Sequence, residues 1–253
     1  MFRPRVIPCL LLMNSGLVKT IKFQNPQYVG DPINAVKIFN EKSVDELILL
    51  DITASMENRK PALNQLSRIC SEAFMPLCYG GGVSTLEDIS SILSVGFEKV
   101  SINNKAIYTP EFISAASSTF GSQSIVVSID VKKDFWGRYS VAGQRGTKAL
   151  KLNPVLWAQE VERRGAGELF VNSVDRDGTG IGYDYSLIKM IAEAVDIPVI
   201  ACGGAGKVND FTRAIKESGA SAVSAGSMFV FHGKHRAVLI TFPSEEELKQ
   251  AFL

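Results

Sequence analysis

Two glycine-rich segments of the chain have the composition of phosphate-binding loops. The first, P-L-C-Y-G-G-G-V-S-T, contains Gly81 and Gly82, and the second, P-V-I-A-C-G-G-A-G-K, contains Gly203 and Gly204. Each segment follows an apolar run and precedes a helix-like stretch, where backbone N–H groups and a helix N-terminus can approach an anion closely. The second pair lies 122 residues after the first, which indicates a duplicated half-domain and a ligand with a phosphate at each end. Tight turns alone are the alternative explanation of these glycines.

Small and polar residues after later apolar runs are expected to complete the two predicted cradles. The residues concerned are Asn103, Asn104, Asp177, Gly178, Gly226 and Ser227. The asparagine pair is expected to close the first cradle and the glycine–serine pair the second. The D-G-T segment, which contains Asp177 at the end of the sixth run, is expected beside the second cradle.

Three further ionisable residues could exchange protons with a ligand or bind it. Asp130 ends the fifth apolar run in V-S-I-D, Asp51 ends the second in I-L-L-D, and Lys19 lies in the long connection after the first run. A correctly placed general acid or base typically contributes about 10²–10⁴-fold to a reaction rate. The structural alternatives are a carboxylate hydrogen-bonded to loop amides for Asp130 and surface salt bridges for the other two.

Four charged residues stand at the beginning of predicted strands. They open the first, second, fourth and sixth strands and are Arg5, Glu46, Lys99 and Glu168. Strand starts converge at one end of a barrel, so two cations and two anions are predicted to form a closed, paired ring there. Ordinary strand-end charges facing water are the alternative.

Eight short apolar runs alternate with helix-like segments and must position these residues. The predicted strands are Val6–Leu12, Glu46–Asp51, Pro76–Tyr79, Lys99–Ile102, Ile125–Val131, Leu169–Asn172, Val199–Cys202 and Ala222–Ala225. Because each run is almost wholly apolar, we expect a parallel sheet that is covered by helices. The sequence predicts an α/β fold: one (β/α)8 TIM barrel over residues 1–253, built from half-barrel repeats of about 1–122 and 123–253. A doubly wound open sheet is the alternative.

Several local patterns predict where helices start. Asp31-Pro32 and Thr109-Pro110 are typical of an N-cap followed by proline in the first turn. Two S-x-x-E patterns, at Ser84–Glu87 and Ser244–Glu247, are typical of capping boxes. Two long connections, Met13–Gly30 and Lys132–Leu152, follow the first and fifth strands and are interpreted as active-site loops.

Composition excludes several classes of partner. The formal net charge of +1, with 27 basic and 26 acidic residues, provides no broad field for nucleic acid or an anionic membrane. The four cysteines lack metal-like spacing and the two histidines are too few for a typical zinc site, so we expect no metal and no cofactor. Without a signal peptide or a long apolar run, a cytoplasmic protein is expected.

From about Arg5 to Phe231 the chain resembles the cyclase subunit of imidazole glycerol phosphate synthase. The resemblance is carried by R-V-I-P-C-L, D-E-L-I-L-L-D-I, the triple glycine, S-I-N-N, V-S-I-D, D-R-D-G-T and G-G-A-G-K. It implies that a glutaminase subunit supplies ammonia through the charged ring to a doubly phosphorylated ribulosyl-formimino substrate. Imidazole glycerol phosphate and an aminoimidazole carboxamide ribotide would be the products.

One departure from the family pattern falls on a catalytic position. The resemblance implies two catalytic aspartates, and Asp130 is one, whereas Leu11 occupies the position of the other. Since leucine cannot exchange a proton, the chain's own cyclase activity is left open. The pattern favours a paralogue that relays ammonia for sugar amidination in surface polysaccharide (lipopolysaccharide or O-antigen) synthesis, with a sugar amidotransferase as a further partner. An authentic histidine-pathway cyclase and a phosphosugar isomerase on the same fold are the alternatives.

Overall fold

A computed structural model describes residues 3–144 and 146–253. The predicted domain also contains Met1, Phe2 and Arg145, which lie outside the described residues. The strands are β1 (Arg5–Met13), β2 (Gly16–Ile21), β3 (Gln24–Gly30), β4 (Leu47–Asp51), β5 (Leu77–Gly80), β6 (Lys99–Ile102), β7 (Ile125–Lys133), β8 (Tyr139–Gly143), β9 (Lys148–Ala149), β10 (Glu168–Ser173), β11 (Val199–Cys202), β12 (Ala222–Ala225), β13 (Phe231–His232) and β14 (Ala237–Val238). The helices are α1 (Pro32–Glu41), α2 (Leu63–Cys70), α3 (Leu86–Ser94), α4 (Asn104–Tyr108), α5 (Glu111–Phe120), α6 (Pro154–Arg163), α7 (Tyr185–Ala192), α8 (Val208–Lys216), α9 (Ser227–Val230) and α10 (Glu245–Phe252).

Eight parallel strands close into a barrel. In the order around the barrel they are β1, β4, β5, β6, β7, β10, β11 and β12, and β12 pairs again with β1. Closure confirms the predicted (β/α)8 fold and excludes the open-sheet alternative. Three predicted strands have the observed bounds, and the other five differ by one or two residues at their ends.

The two long connections fold as antiparallel extensions of the barrel rather than as irregular loops. After the first strand, β2 pairs with β1 and β3, and after the fifth, β8 pairs with β7 and β9. The turn into β2 uses Asn14 and Ser15 at positive φ, which polar residues tolerate better than branched ones. Lys19 therefore lies on strand β2, and its predicted placement in a loop was wrong.

Two of the predicted helix starts are confirmed. The Asp31 side chain accepts a hydrogen bond from the Asn34 amide at the start of α1. At the start of α10, Ser244 and Glu247 form a reciprocal capping box. Each arrangement satisfies amide groups that the first helical turn leaves without partners.

The other two helix starts differ from prediction. The box of α3 is formed by Thr85 and Asp88, one residue after the predicted Ser84–Glu87 pair. Thr109 is the C-cap of α4, and α5 starts after Pro110 without a side-chain cap. The prediction failed there because a short helix that the sequence did not reveal precedes the proline.

The barrel has one apolar core between strands and helices and a second inside the lumen. The buried residues of the lumen core are Ile7, Cys9, Ile48, Cys78, Val126, Phe170, Ile200, Cys202 and Ala222. All four cysteines are free thiols, and three of them belong to this lumen core. No helix in the described ranges is both long and apolar enough to cross a membrane.

Candidate functional site

All the predicted cradle and proton-transfer residues line one cavity at the carboxyl ends of the barrel strands. The cavity measures about 160 Å³. The predicted residues that line it are Leu11, Lys19, Asp51, Gly81, Gly82, Asn103, Asn104, Asp130, Asp177, Gly178, Gly203, Gly204, Gly226 and Ser227. This end of the barrel carries the chemistry in TIM-barrel enzymes generally.

The paired glycines of the two cradles all have positive φ angles. Gly81 has φ +122° and Gly203 has φ +86°, in the region that favours glycine. A methyl group on Gly81 would collide with the carbonyl oxygen of Asp51, and one on Gly203 would lie 2.7 Å from the carbonyl oxygen of Ser173. Glycine is therefore required at both positions to let the loop leave the strand.

Neighbouring loops hold the first cradle in place. The Gly82 amide donates to the Ser55 hydroxyl at 3.2 Å, and the Gln144 amide donates to the Asn104 side-chain oxygen at 3.1 Å. Ser55 was missed by the sequence reasoning because nothing in its local pattern relates it to the glycines.

A buried cation stands beside the second cradle. Lys19 is 5% exposed, and its Nζ donates to the Cys9 carbonyl oxygen and lies against Gly226. Burial lowers the pKa of Lys19, and the charges of Cys9 and Asp177 oppose that shift. A phosphate held at this cradle would gain a compensating charge without being exposed to water.

Asp130 lies in the cavity with an unusually basic carboxylate. Burial raises its pKa to about 7, although the hydrogen bond from the Asn103 amide nitrogen, at 2.9 Å, acts in the opposite direction. The charge of Asp177 raises it further. A carboxyl group that titrates near neutrality can both give and accept a proton at physiological pH.

Asp177 joins the second half of the barrel to the first hairpin. It lies four residues beyond the end of β10, not at the strand end as predicted, and accepts a hydrogen bond from the Thr20 hydroxyl at 3.0 Å. Burial raises its pKa, while the nearby charge of Lys19 lowers it. Phe23, whose amide also donates to Asp177, lines the cavity.

The carboxylate of Asp51 is already engaged within its own loop. Arg59 contacts both oxygens, at 2.9 and 3.3 Å, and the amides of Thr53 and Ala54 donate at 3.1 Å each. This geometry favours a role in holding the loop after β4 over direct contact with a ligand.

The mouth of the lumen has one apolar and one polar wall. Leu11 and Leu50 are register partners on β1 and β4, whereas Asp130 and Asn172 are register partners on β7 and β10. The sequence reasoning missed Asn172, because the 122-residue offset aligns it with Leu50, an apolar residue that was not itself a predicted site residue. Two buried serines of the polar side, Ser101 and Ser128, were also missed.

Two thiols lie at the top of the lumen core. Cys9 and Cys202 both line the cavity and are hydrogen-bonded to each other. The bond from Cys202 lowers the pKa of the Cys9 thiol against the effect of burial, and both effects raise the pKa of Cys202. Among the described residues no group of three or more histidine, cysteine or acidic side chains could hold a metal ion.

The four charged strand-start residues form a closed ring at the opposite end of the lumen. Arg5 contacts Glu46 at 2.5 Å and Glu168 at 2.6 Å, and Lys99 contacts the same two carboxylates at 3.1 and 3.0 Å. Burial would lower the pKa of Arg5, but the charges of Glu168 and Glu46 outweigh it and raise that pKa. Each cation thus bridges both anions, and the lumen core separates this ring from the cavity.

The chain is similar to known proteins over nearly its whole length. A family model described as "Histidine biosynthesis protein" matches residues 5–236. A putative imidazole glycerol phosphate synthase subunit hisF2 of Pseudomonas aeruginosa is 55% identical over 248 residues, covering 98% of this chain and 99% of that protein. A putative HisF subunit of Leptospira borgpetersenii is 46% identical with complete coverage of both chains. A putative hisF3 subunit of Vibrio vulnificus is 44% identical, with 99% and 97% coverage.

Proposed function

Because the chain belongs to the histidine biosynthesis protein family, among its HisF-like barrels, we propose that it receives ammonia from a glutaminase and relays it. The glutaminase docks at the strand-start face, where the lumen begins at the ring of Arg5, Glu46, Lys99 and Glu168. The ammonia leaves at the cavity and is used by a sugar amidotransferase of the lipopolysaccharide or O-antigen type.

The observation that carries the proposal is a contrast between the two ends of the lumen. The charged ring at the strand starts is complete, whereas Leu11 at the opposite end replaces one of the two aspartates that the resemblance implies. Glu46 and Glu168 are buried and the two cations are partly buried, so removing these charges from water is costly unless each of them is paired. Here every partner is in place. At the other end of the same lumen, Leu11 supports relay over cyclisation, because it cannot act as the second acid or base that the family resemblance implies at this position of β1.

The relay is tested by co-expressing the chain with the HisH-type glutaminase from the same genome. A stable complex is expected, in which glutamine hydrolysis depends on the barrel. A chain that neither binds the glutaminase nor changes its activity would contradict the proposal.

An authentic cyclase is the second candidate, and one observation favours it. Both cradles, Lys19, Asp130 and Asp177 converge on a single cavity, as a substrate with two phosphates would need. In this role the chain would convert the phosphoribulosyl-formimino substrate and ammonia to imidazole glycerol phosphate and aminoimidazole carboxamide ribotide.

A further inference from the structure

The hairpin of β7 and β8 ends in two exposed aromatic side chains. Phe135 is 95% exposed and Trp136 is 76% exposed, and their rings meet edge to face with the centroids 5.9 Å apart. The guanidinium of Arg138 lies 5.1 Å from the centroid of the Trp136 ring. Neither aromatic residue belongs to the apolar cores of the described residues, so the fold does not account for them. Aromatic and arginine side chains of this kind contribute most of the binding energy at protein interfaces.

Hydrogen bonds within the tip of this hairpin hold the aromatic pair in place. Asp134 accepts hydrogen bonds from the amides of Trp136 and Arg138 at 2.9 Å each, and from Arg138 Nε at 2.7 Å. The Asp134 amide donates in turn to the Arg138 carbonyl oxygen at 2.9 Å. A binding group that is already ordered loses less conformational entropy when a partner docks on it. The tip therefore presents both rings to solvent in a conformation that is ready for binding.

The base of the hairpin is fixed beside the mouth of the cavity. Lys133 Nζ contacts Asp184 at 3.0 Å, and the Lys133 amide donates to Asp175 at 2.7 Å. The Tyr139 hydroxyl donates to Asp184 at 2.8 Å. Both aspartates belong to the connection between β10 and α7, so the hairpin is braced against the next connection around the barrel. Because Asp130 of the cavity lies on the same strand, β7, the hairpin extends outward from the cavity mouth.

The same face of the barrel carries exposed cations without acidic partners. Five lysines in the connections that follow barrel strands are exposed and form no ion pair within the described part of the chain: Lys22, Lys60, Lys148, Lys151 and Lys234. Two carboxylates of these connections are already paired, Glu57 with Arg59 at 3.0 Å and Asp134 with Arg138 at 2.7 Å. A second copy of the chain would bring like charges together on this face, whereas an acidic protein surface would be attracted to it.

We propose that the strand-end face is a docking surface for the enzyme that accepts the ammonia, and that Phe135 and Trp136 anchor it. The partner presents an apolar pocket bordered by carboxylates: the pocket takes the two rings, and the carboxylates face the lysines. The docking surface rests on the proposed function, because ammonia that leaves the cavity reaches an acceptor without loss to water only where that acceptor covers the mouth.

Trp136 makes docking directly observable. The chain has two tryptophans, and the other, Trp157, is 4% exposed within the core. Azatryptophan incorporated into the barrel is excited apart from the tryptophans of a partner, and its emission shifts when water is excluded. We expect this shift on addition of the purified sugar amidotransferase from the same genome. A shift with inorganic phosphate alone would make the hairpin a lid over its own cavity, and a shift with phosphatidylglycerol vesicles would make it a membrane contact; either result would overturn the proposal.

Substitutions at the two faces of the barrel should differ in effect. Trp136→Ala should weaken binding of the amidotransferase about 30-fold, the effect of a central interface residue. Phe74→Ala is the matched control, because Phe74 is 90% exposed but precedes β5 at the opposite face, and the affinity should not change. Lys234→Glu should also weaken binding, by a factor that becomes smaller as the salt concentration rises. Calorimetric titration measures all three affinities.

The docking surface is overturned if the amidotransferase does not bind the wild-type barrel, or if it binds Trp136→Ala and Phe74→Ala equally well. These outcomes differ from failure of the relay, which is measured as glutamine hydrolysis coupled to the barrel. A barrel that couples to the glutaminase but binds the amidotransferase independently of Trp136 keeps the relay and loses the docking surface. A barrel that binds the amidotransferase through Trp136 but never couples to a glutaminase does the reverse.

Discussion

Leu11 on β1 and Leu50 on β4 are register partners that form an apolar wall of the cavity mouth. The half-chain repeat relates them to Asp130 and Asn172, which are register partners on the polar wall. The same positions of the two half-barrels thus carry opposite chemistry. The leucine pair cannot exchange a proton, whereas the second pair contains the Asp130 carboxylate, whose pKa burial raises to about 7.

Restoring a carboxylate on the apolar wall should restore cyclisation. We expect Leu11→Asp to raise turnover of the phosphoribulosyl-formimino substrate by about 10² or more, the usual contribution of a general acid or base. Leu50→Asp is the matched control, since it places a carboxylate at the same level on the wrong strand and should give no gain. Steady-state turnover rates with ammonium salt are measured for both variants. If neither variant changes the rate, the loss of cyclisation arises in the hairpins after β1 and β7.

Opening the charged ring should uncouple the two reactions of the complex. Lys99→Ala or Glu46→Ala breaks two of the four contacts, and we expect several-fold more glutamine hydrolysed for each ammonia transferred. Each replacement leaves the remaining three ions joined but with an excess charge in a partly buried ring, so folding must be checked by circular dichroism.

The control for the ring is an exposed ion pair. Lys37 contacts Glu72 at 3.4 Å on the surface, and Lys37→Ala should leave coupling unchanged because exposed pairs contribute about 0–1 kcal/mol. Unchanged coupling in folded Lys99→Ala protein would remove the ring from the relay.

The second cradle should not tolerate a side chain. Gly203→Ala brings a methyl group against Asn172 and Ser173 at 2.5 and 2.7 Å, and we expect at least tenfold weaker binding of inorganic phosphate. Gly137→Ala is the control: its φ is +77°, close to that of Gly203, but nothing lies within 4 Å. Gly137→Ala should lower the free energy of unfolding only by the backbone strain of about 1 kcal/mol. Calorimetric titration with phosphate measures the affinity of each variant. Equal affinities for the two variants would contradict phosphate binding at the second cradle.

The stability of the protein should depend on the ionisation of Asp130. Its pKa is near 7 in the folded chain, above the value of about 4 in an unfolded one, so ionisation favours unfolding as the pH rises from 4 to 7. Asp130→Asn removes this cost and should raise the free energy of unfolding at pH 8, by at most about 4 kcal/mol, with little effect at pH 4.

Urea denaturation at the two pH values measures the difference. Asp88→Asn is a control of opposite sign, because hydrogen bonds from Ser84 and Thr85 outweigh burial and lower the pKa of Asp88. Asp88 therefore stabilises the fold above pH 4, and its replacement should destabilise the protein at pH 8. A pH-independent effect of Asp130→Asn would show that its carboxyl group titrates normally.

Much of the fold could be predicted because the barrel strands are buried on both faces. Near-continuous apolar runs such as V-V-S-I-D mark strand ends within two residues. The hairpins could not be predicted in the same way, since β3 is almost wholly exposed and its sequence, Q-N-P-Q-Y-V-G, has no alternation. Their pairing depends on contacts with β1 and β7 that only the closed barrel provides.

The site was predictable where the repeat or the strand ends identified residues, and not where loops bring them in. The glycines and Asp130 follow from their place at strand ends. Ser55 and Phe23 reach the cavity through long connections, so their sequence neighbours carry no signal. Asp51 was placed correctly, but its ion pair with Arg59 depends on how the following loop folds back.

The proposed relay is tested most directly by measuring turnover of the phosphoribulosyl-formimino substrate by the purified chain, with excess ammonium salt in place of a glutaminase. We expect no cyclisation by folded protein that still binds phosphate, since Leu11 occupies the β1 position at which the family resemblance implies the second catalytic aspartate. Robust turnover would contradict the relay and make the chain a true cyclase that tolerates Leu11.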